Sequence, residues 1–288
     1  MASLSILKSG ILSSIQDMGR SGFAFYAIPA SGVMDKGSAA QANLIIGNPS
    51  SHPVIECTII PPTLQFNDPC YISITGAQSN WTINNIPIEM NEVIQICKDD
   101  IIKGTPFNNG LRAYIAISGK IESPQYLNSK SYSTYLPFEM SKIRILTKGD
   151  VIEWSSCNYP IHNVDITFKK LAEESKIKVR PGPEFHTLDE ASQVLLRAGI
   201  TCTIGDQSNR MGSLLNGPIL NSQPAFLDKS VAVIPGMIQL TSSGQMIVIL
   251  KDGQTTGGYP RIAYMSRESL DVYNQIPIRR KVKIVLTL

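Results

Sequence analysis

Five short segments hold most of the side chains in this sequence that could do chemistry: Gln16-Asp17-Met18-Gly19-Arg20, Ser31-Gly32-Val33-Met34-Asp35, Ser208-Asn209-Arg210-Met211-Gly212, Pro235-Gly236-Met237-Ile238-Gln239 and Thr255-Thr256-Gly257-Gly258-Tyr259-Pro260. Each joins a glycine turn to polar side chains. Glycine lets the backbone approach a ligand closely; the side chains add carboxylate, guanidinium, carboxamide or hydroxyl. That combination suits a small polar molecule. Arg20 beside Asp17 reads either as a bidentate clamp for a carboxylate or phosphate or as an ion pair holding a loop. Asp35 reads as a helix N-cap, and the same N-terminus could face a ligand. Asn209 and Arg210 offer an amide-matching carboxamide and a carboxylate-matching fork, or else a capped turn. Gln254, Thr256, Gly257 and Tyr259 read as an anion or oxyanion nest or as a hairpin loop. Gln239, on the preceding strand, could point at the same pocket. Glu56 follows Val54-Ile55 and precedes Cys57, so it is expected to be a partly buried carboxylate in need of a partner. Arg20 or Arg210 would make it structural; a raised pKa would make it a general acid or base.

Strands must position most of these residues. Short runs rich in Ile, Val, Tyr and Thr predict strands at residues 4–8, 71–75, 112–118, 143–147, 151–154, 176–180, 200–204, 245–250, 261–265 and 281–288. Two helices are expected. One covers residues 36–46, capped by Asp35 and stopped by Gly47-Asn48-Pro49. The other follows Thr187, whose spacing to Glu190 makes a capping box, and ends at Gly199. The halves echo each other faintly. Ile55-Glu56, a turn, a strand and Gly76 in the first correspond to Ile238-Gln239, a turn, a strand and a glycine-rich loop in the second. A duplicated β-barrel unit would explain this. The junction is expected within residues 158–176, giving domains 1–168 and 169–288.

Composition narrows the function classes. The chain has 288 residues, 43% of them apolar and 17% charged, which is ample for a globular core. A net charge of +3, with scattered Lys and Arg, gives no case for nucleic acid. The one basic run, Arg279-Arg280-Lys281 with Lys283, reads as a solvated strand edge. Five cysteines, odd in number and without C-x-x-C spacing, predict free thiols in a reducing compartment, hence the cytoplasm. Three well-separated histidines give no metal-ligand spacing. Neither a signal peptide nor a transmembrane run is expected. The sequence has no phosphate-gripping G-x-x-x-x-G-K-[ST] loop, no G-x-S-x-G elbow and no hairpin that could carry biotin. ATP- or biotin-dependent chemistry would therefore need a partner.

Taken in order, the motifs resemble one family from about Ile6 to Ile284. Gln16-Asp17 with Gly19-Arg20, Ser31-Gly32 with Met34-Asp35, Ala42-Asn43 with Gly47-Asn48, Ile55-Glu56, Arg180-Pro181-Gly182-Pro183, and the segments at residues 208–212, 235–239 and 254–261 carry the likeness. The chain resembles the family of 5-oxoprolinase C subunits, also called the biotin-dependent carboxyltransferase or allophanate hydrolase subunit 2-related family, to which the antagonist of the KipI protein belongs. The resemblance implies a mainly β chain of two tandem cyclophilin-like β-barrels with a few short helices. It implies two partners, the KipI-like B subunit of 5-oxoprolinase and its A subunit, the three together opening 5-oxoproline to glutamate at the expense of ATP. ATP would be bound by, or shared with, one of those partners. Relatives joined to biotin carboxylase modules transfer a carboxyl group from carboxybiotin to urea; for this chain that alternative would require biotin on a separate protein. A non-catalytic role, binding and antagonising a KipI-like partner, is the remaining alternative. Under the enzyme reading, Arg20, Asn209, Arg210, Gln239, Thr256 and Gly257 bind a small amide or lactam, and Asp35, Glu56, Gln254 and Tyr259 take catalytic parts. The chain departs from the family pattern at Ile60-Pro61-Pro62, at Gly119-Lys120 and in the loop from Asn128 to Thr134.

Overall fold

The computed structural model describes residues 1–135, 143–157, 171–172 and 174–287. Two compact units emerge, Met1–Arg20 with Ser31–Lys170, and Ser21–Ala30 with Leu171–Leu288. The boundary expected at 168/169 lies outside the described residues. The architecture is mainly β with a few short helices, as expected.

The first unit holds two sheets. One runs Lys120–Glu122, Val151–Ser155, Ala2–Lys8, Thr63–Phe66, Ile101–Gly104, Trp81–Ile83, Ile86–Ile88; the other runs Leu12–Gln16, Val54–Thr58, Asn109–Ile117, Cys70–Gln78, Ile94–Ile96. Side chains alternate along each strand, so each sheet has two distinct faces. On the second sheet Ile55, Cys57, Ile74, Ala113 and Ile115 join Leu4, Ile6, Phe66 and Trp154 of the first sheet in one apolar core. The opposite face is polar: Ser14, Glu56, Tyr114 and Thr75 stand side by side in register. Helix α1 (Lys36–Ile45) covers that face, and Ala39, Ala42 and Ile45 close a smaller core with Val33, Val54, Tyr114 and Ala116. Thr75 Oγ1 donates to the Ser38 carbonyl at 2.7 Å, and Ser73 Oγ donates to that of Ala42. Ser73 and Thr75 thus spend their hydroxyls on fixing the helix.

The α1 cap is as expected: the Asp35 carboxylate accepts from Ser38 N at 3.0 Å. Helix α2 (Glu190–Ala198) differs at its start. Its cap is Asp189, which accepts from Ser192 N at 2.8 Å. Thr187 is unavailable because its hydroxyl donates to the Glu184 carbonyl at 2.8 Å, closing a preceding 3-10 turn. Gly199 does stand at the C-cap, with φ at +92°. Helix α3 (Arg267–Asn274) was not expected; only Leu270, Tyr273 and Asn274 of its residues are buried, too few to show as an apolar stripe. Residues 143–147 are not a strand. Arg144 donates to Ile145 O, Thr147 Oγ1 and Asp150 Oδ1, and Asp150 accepts from Thr147 N, so a local turn network takes up this segment.

In the second unit seven strands close a barrel: Ser175–Pro181, Arg261–Met265, Met237–Leu240, Met246–Ile249, Gly212–Asn216, Ile200–Ile204 and Lys281–Leu286. Lys281–Leu286 completes the circle by pairing in parallel with Ser175–Pro181. Closure corrects the reading of the basic run. Lys281–Leu286 has a neighbour on both sides, and a closed barrel has no edge. Val282 and Ile284 are fully buried while Lys281 points out to solvent, so the lysines mark the outer face. Arg279 pairs with Asp206 at 2.7 Å.

Candidate functional site

In the first unit two of the five polar segments, residues 16–20 and 31–35, meet. Val33 N donates to Asp17 O at 2.9 Å, and a Cβ on Gly32, whose φ is +88°, would lie 2.7 Å from Gly19 N. Only glycine fits there. Asp17 is a hub. Oδ1 accepts from Gly19 N at 2.8 Å, Ser129 Oγ at 2.7 Å and Ser131 Oγ at 2.6 Å; Oδ2 accepts from Lys130 N at 2.6 Å. Arg20 is buried, donates to the carbonyls of Tyr126 and Ser131, and has its guanidinium 5.8 Å from the centre of the Tyr126 ring. Asp17 and Arg20 therefore grip the same distant loop, one by its donors and the other by its acceptors.

Glu56 is 2% exposed and accepts from Met34 N at 2.7 Å. Beside it the Tyr114 hydroxyl accepts from Asp35 N at 2.8 Å. Burial, with the charges of Glu56 and Asp35 nearby, pushes the Tyr114 phenol well above its usual range, so it stays protonated. Glu56 and Tyr114 thus strap residues 31–35 to the polar face of the sheet. Tyr114 escapes sequence reading because it sits in an apolar strand; its register with Glu56 is what reveals it. In the same loop Ser31 has φ at +54° and a fully buried hydroxyl with no hydrogen-bond partner among the described residues. Beside Asp17 a cavity of about 420 Å³ is lined by His52, Lys120, Asn128 and Lys130. Burial, reinforced by Lys120 and Lys130, keeps the His52 imidazole below its ordinary pKa and hence neutral. Lys130 Nζ donates to Ile121 O and Glu122 Oε2, at 2.6 and 2.8 Å.

In the second unit Arg210 and Asp252 form a buried ion pair, with Nε to Oδ2 at 2.9 Å and Nη2 to Oδ1 at 3.3 Å. Asp252 N also donates to Arg210 O at 2.8 Å. Asn209 is exposed, and its Oδ1 accepts from Met211 N at 2.7 Å, closing the turn that carries Arg210. Gln254 and Thr256 are exposed on the loop that follows Asp252. Gln239, 1% exposed, donates from Nε2 to Tyr259 O at 3.1 Å and lies under Gly257, where a Cβ would come within 2.7 Å of it. The Tyr259 ring stacks on Phe226 at 5.2 Å. The loop from Asp252 to Tyr259 is thus tied by Arg210 at one end and by Gln239 at the other. Glu56 and Gln239, matched in the sequence echo, do matching work: each is a buried polar residue on a strand that holds a polar loop by its backbone.

A further clamp was not read from the sequence. Arg261 donates to Glu184 Oε2 from Nε at 2.8 Å, to Oε1 from Nη2 at 2.6 Å, and from Nη1 to Ala232 O at 2.7 Å. Ala232 belongs to the strand that pairs with Thr256–Gly257. Hydrogen bonds from Arg261 hold the Glu184 carboxyl below its usual range. A lowered folded-state pKa means stabilisation that is complete above the ordinary Glu value and is lost as pH falls through the folded one. Thermal melts below about pH 4.5 should therefore show wild type losing stability more steeply than Glu184→Gln. Parallel pH profiles would refute the clamp's contribution.

Among the described residues no cluster of His, Cys, Asp and Glu is arranged to hold a metal, and no helix is long and apolar enough to cross a membrane. The five cysteines are free thiols. Burial pushes the Cys70 thiol up to about 12 and that of Cys202 to about 11, so neither is a ready nucleophile.

Two β-rich units with glycine-bounded polar loops define a recognised class. The chain belongs to the family described as carboxyltransferase domain, subdomain A and B, whose model matches residues 26–286. It is 30% identical over 290 residues to the C subunit of 5-oxoprolinase from Escherichia coli (strain K12), covering 98% of this chain and 90% of that one. It is 35% identical to the urea amidolyase of Lachancea kluyveri, over 51% of this chain and 8% of that one. Among solved structures it is similar to the K. lactis urea amidolyase, with a TM-score of 0.89 and 26% identity over 99% of this chain. The chain spans only 19% of that much longer protein.

Proposed function

We propose that this chain is the C subunit of an ATP-dependent 5-oxoprolinase, which opens 5-oxoproline to glutamate with its B and A subunits in the cytoplasm. The observation that carries this reading is the end-to-end match to a 5-oxoprolinase C subunit, 98% of one chain against 90% of the other. In this reading the exposed Asn209 recognises the substrate's amide, while Arg20 and Arg210, buried and already bonded, each hold the polar loop of their own unit. Gln254, Thr256, the Gly257 N–H and Tyr259 polarise the lactam carbonyl or hold a transferred phosphoryl group. Asp35 and Glu56 orient the loop at residues 31–35. Gln239 supports the loop at residues 254–259 from beneath. ATP is assigned to the assembly with its partners, since this sequence has no phosphate loop of its own.

The test is glutamate formation from 5-oxoproline and ATP by this chain copurified with both partners. Tyr259→Phe should assemble normally and lose on the order of tenfold or more in kcat. Absence of glutamate from a complete, stable complex would remove the proposal. Carboxyl transfer to a urea-like substrate is favoured by one observation, the likeness of 99% of this chain to part of the K. lactis urea amidolyase structure. It requires a biotinylated partner, which a streptavidin blot of the copurified complex would reveal.

A further inference from the structure

We propose that the outward face of helix α2 is a docking surface for a second copy of this chain, which it meets antiparallel across a two-fold axis. Ala191, Val194, Leu195 and Ala198 follow the spacing that on most helices marks the side turned to the core. Here that stripe faces solvent. Val194 is 59% exposed, Leu195 is 44% exposed, and both alanines are exposed. The helix cannot roll to bury it. Leu196, on the other side, is fully buried. Buried Ser192 is tied twice: its N donates to the Asp189 carboxylate at 2.8 Å, and its Oγ accepts from Asn221 N at 2.9 Å. Gln193 Nε2 donates to Leu188 O at 2.9 Å. An apolar stripe held outward in this way marks a contact surface.

Charges beside the stripe identify what covers it. Glu190 and Arg197 are both exposed and seven residues apart, so they lie two turns apart on one flank of the stripe. Neither has an ion pair among the described residues; Arg197 lies over the Phe185 ring, 5.1 Å from its centre. Set two copies of the helix antiparallel, stripe to stripe, and Glu190 of each stands beside Arg197 of the other. Val194 and Leu195 then meet in the middle, with Ala191 and Ala198 at the ends, where small side chains let the two backbones approach closely. The two helix dipoles also oppose each other. A parallel pair would set Glu190 against Glu190 and Arg197 against Arg197. The face is thus complementary to itself, which is what a two-fold contact demands. Nine residues make a helix only about 13 Å long, so the contact is smaller than a standard interface and the dimer is weak and concentration-dependent. The contact uses none of the residues assigned to the reaction.

Sedimentation velocity on the full chain, from about 5 to about 500 μM, reads the monomer–dimer equilibrium. Wild type should dimerise reversibly within that range. Leu195→Glu, a change at an exposed position, should weaken the dimer about a hundredfold by placing a charge in the seam. Glu190→Arg and Arg197→Glu should each weaken it about tenfold, because each turns two attractive pairs into two repulsive ones. Mixed in equal amounts, these two variants should form a heterodimer close to wild-type strength, since opposite charges face each other again. Only a second copy of the chain predicts that rescue. If either reversal fails to fold, wild type and Leu195→Glu still decide. A wild type that stays monomeric at the highest concentration, a dimer indifferent to Leu195→Glu, or a mixture no tighter than its components overturns the proposal. With a monomeric wild type, loss of a copurified partner subunit from Leu195→Glu would assign the face to that partner instead.

Discussion

Replacing Asp17 with alanine is expected to lower the unfolding midpoint of the first unit by on the order of 10 °C. Asp17 receives four hydrogen bonds, from Gly19 N, Ser129 Oγ, Ser131 Oγ and Lys130 N. Each bond to a carboxylate contributes about 1.5–3 kcal/mol, and the two hydroxyl donors can re-aim when it is lost. The two backbone N–H groups cannot, and they are the source of most of the expected cost of about 3–5 kcal/mol. Asp17→Asn keeps one acceptor oxygen and should fall between alanine and wild type. Differential scanning calorimetry reads all three. A midpoint for Asp17→Ala within about 2 °C of wild type would mean that the distant loop is held by other means.

Asp252→Ala should be as damaging in the second unit, for a different reason. Asp252 is fully buried and Arg210 nearly so. Removing the carboxylate takes a bidentate counter-charge from a guanidinium in low dielectric, at a cost of about 3–5 kcal/mol. The Asp252 N–H bond to Arg210 O survives, so the damage is electrostatic. That yields a discriminating control. The double variant Arg210→Met/Asp252→Leu removes both charges and fills the space, and it should recover most of the loss, since apolar replacements of buried ion pairs are often neutral. Urea denaturation of the single and double variants decides the matter. A double variant no better than Asp252→Ala would place the cost in packing instead.

Local chemistry was legible in the sequence, and long-range chemistry was not. The α1 cap at Asp35 and the α2 stop at Gly199 depend on residues within one turn of each other, and both could be read directly. The α2 start was misplaced because Thr187 and Asp189 are both acceptable caps, and only a turn at residues 184–187 decides between them. Asp17 and Arg20 were seen as a pair, whereas each reaches a loop more than 100 positions away. Tyr114 and Glu56 become neighbours through sheet register, which no periodicity encodes. The basic run at residues 279–283 looked like an edge because charges on an edge strand and on the outside of a barrel strand give the same alternation. The glycine motifs were found because their constraint is steric: at Gly32 and Gly257 another backbone or side chain fills the place of a Cβ.

The parallel pairing of Ser175–Pro181 with Lys281–Leu286 joins the first and the last barrel strands in chain order. Roughly a hundred residues must be made before that seam can form, so the barrel cannot mature progressively as it leaves the ribosome. Until then Ser175–Pro181 and Ile200–Ile204 each lack a neighbour and offer open hydrogen-bonding edges to other nascent chains. Premature termination upstream of Lys281 would make that exposure permanent, and such products are natural clients for chaperones and proteases.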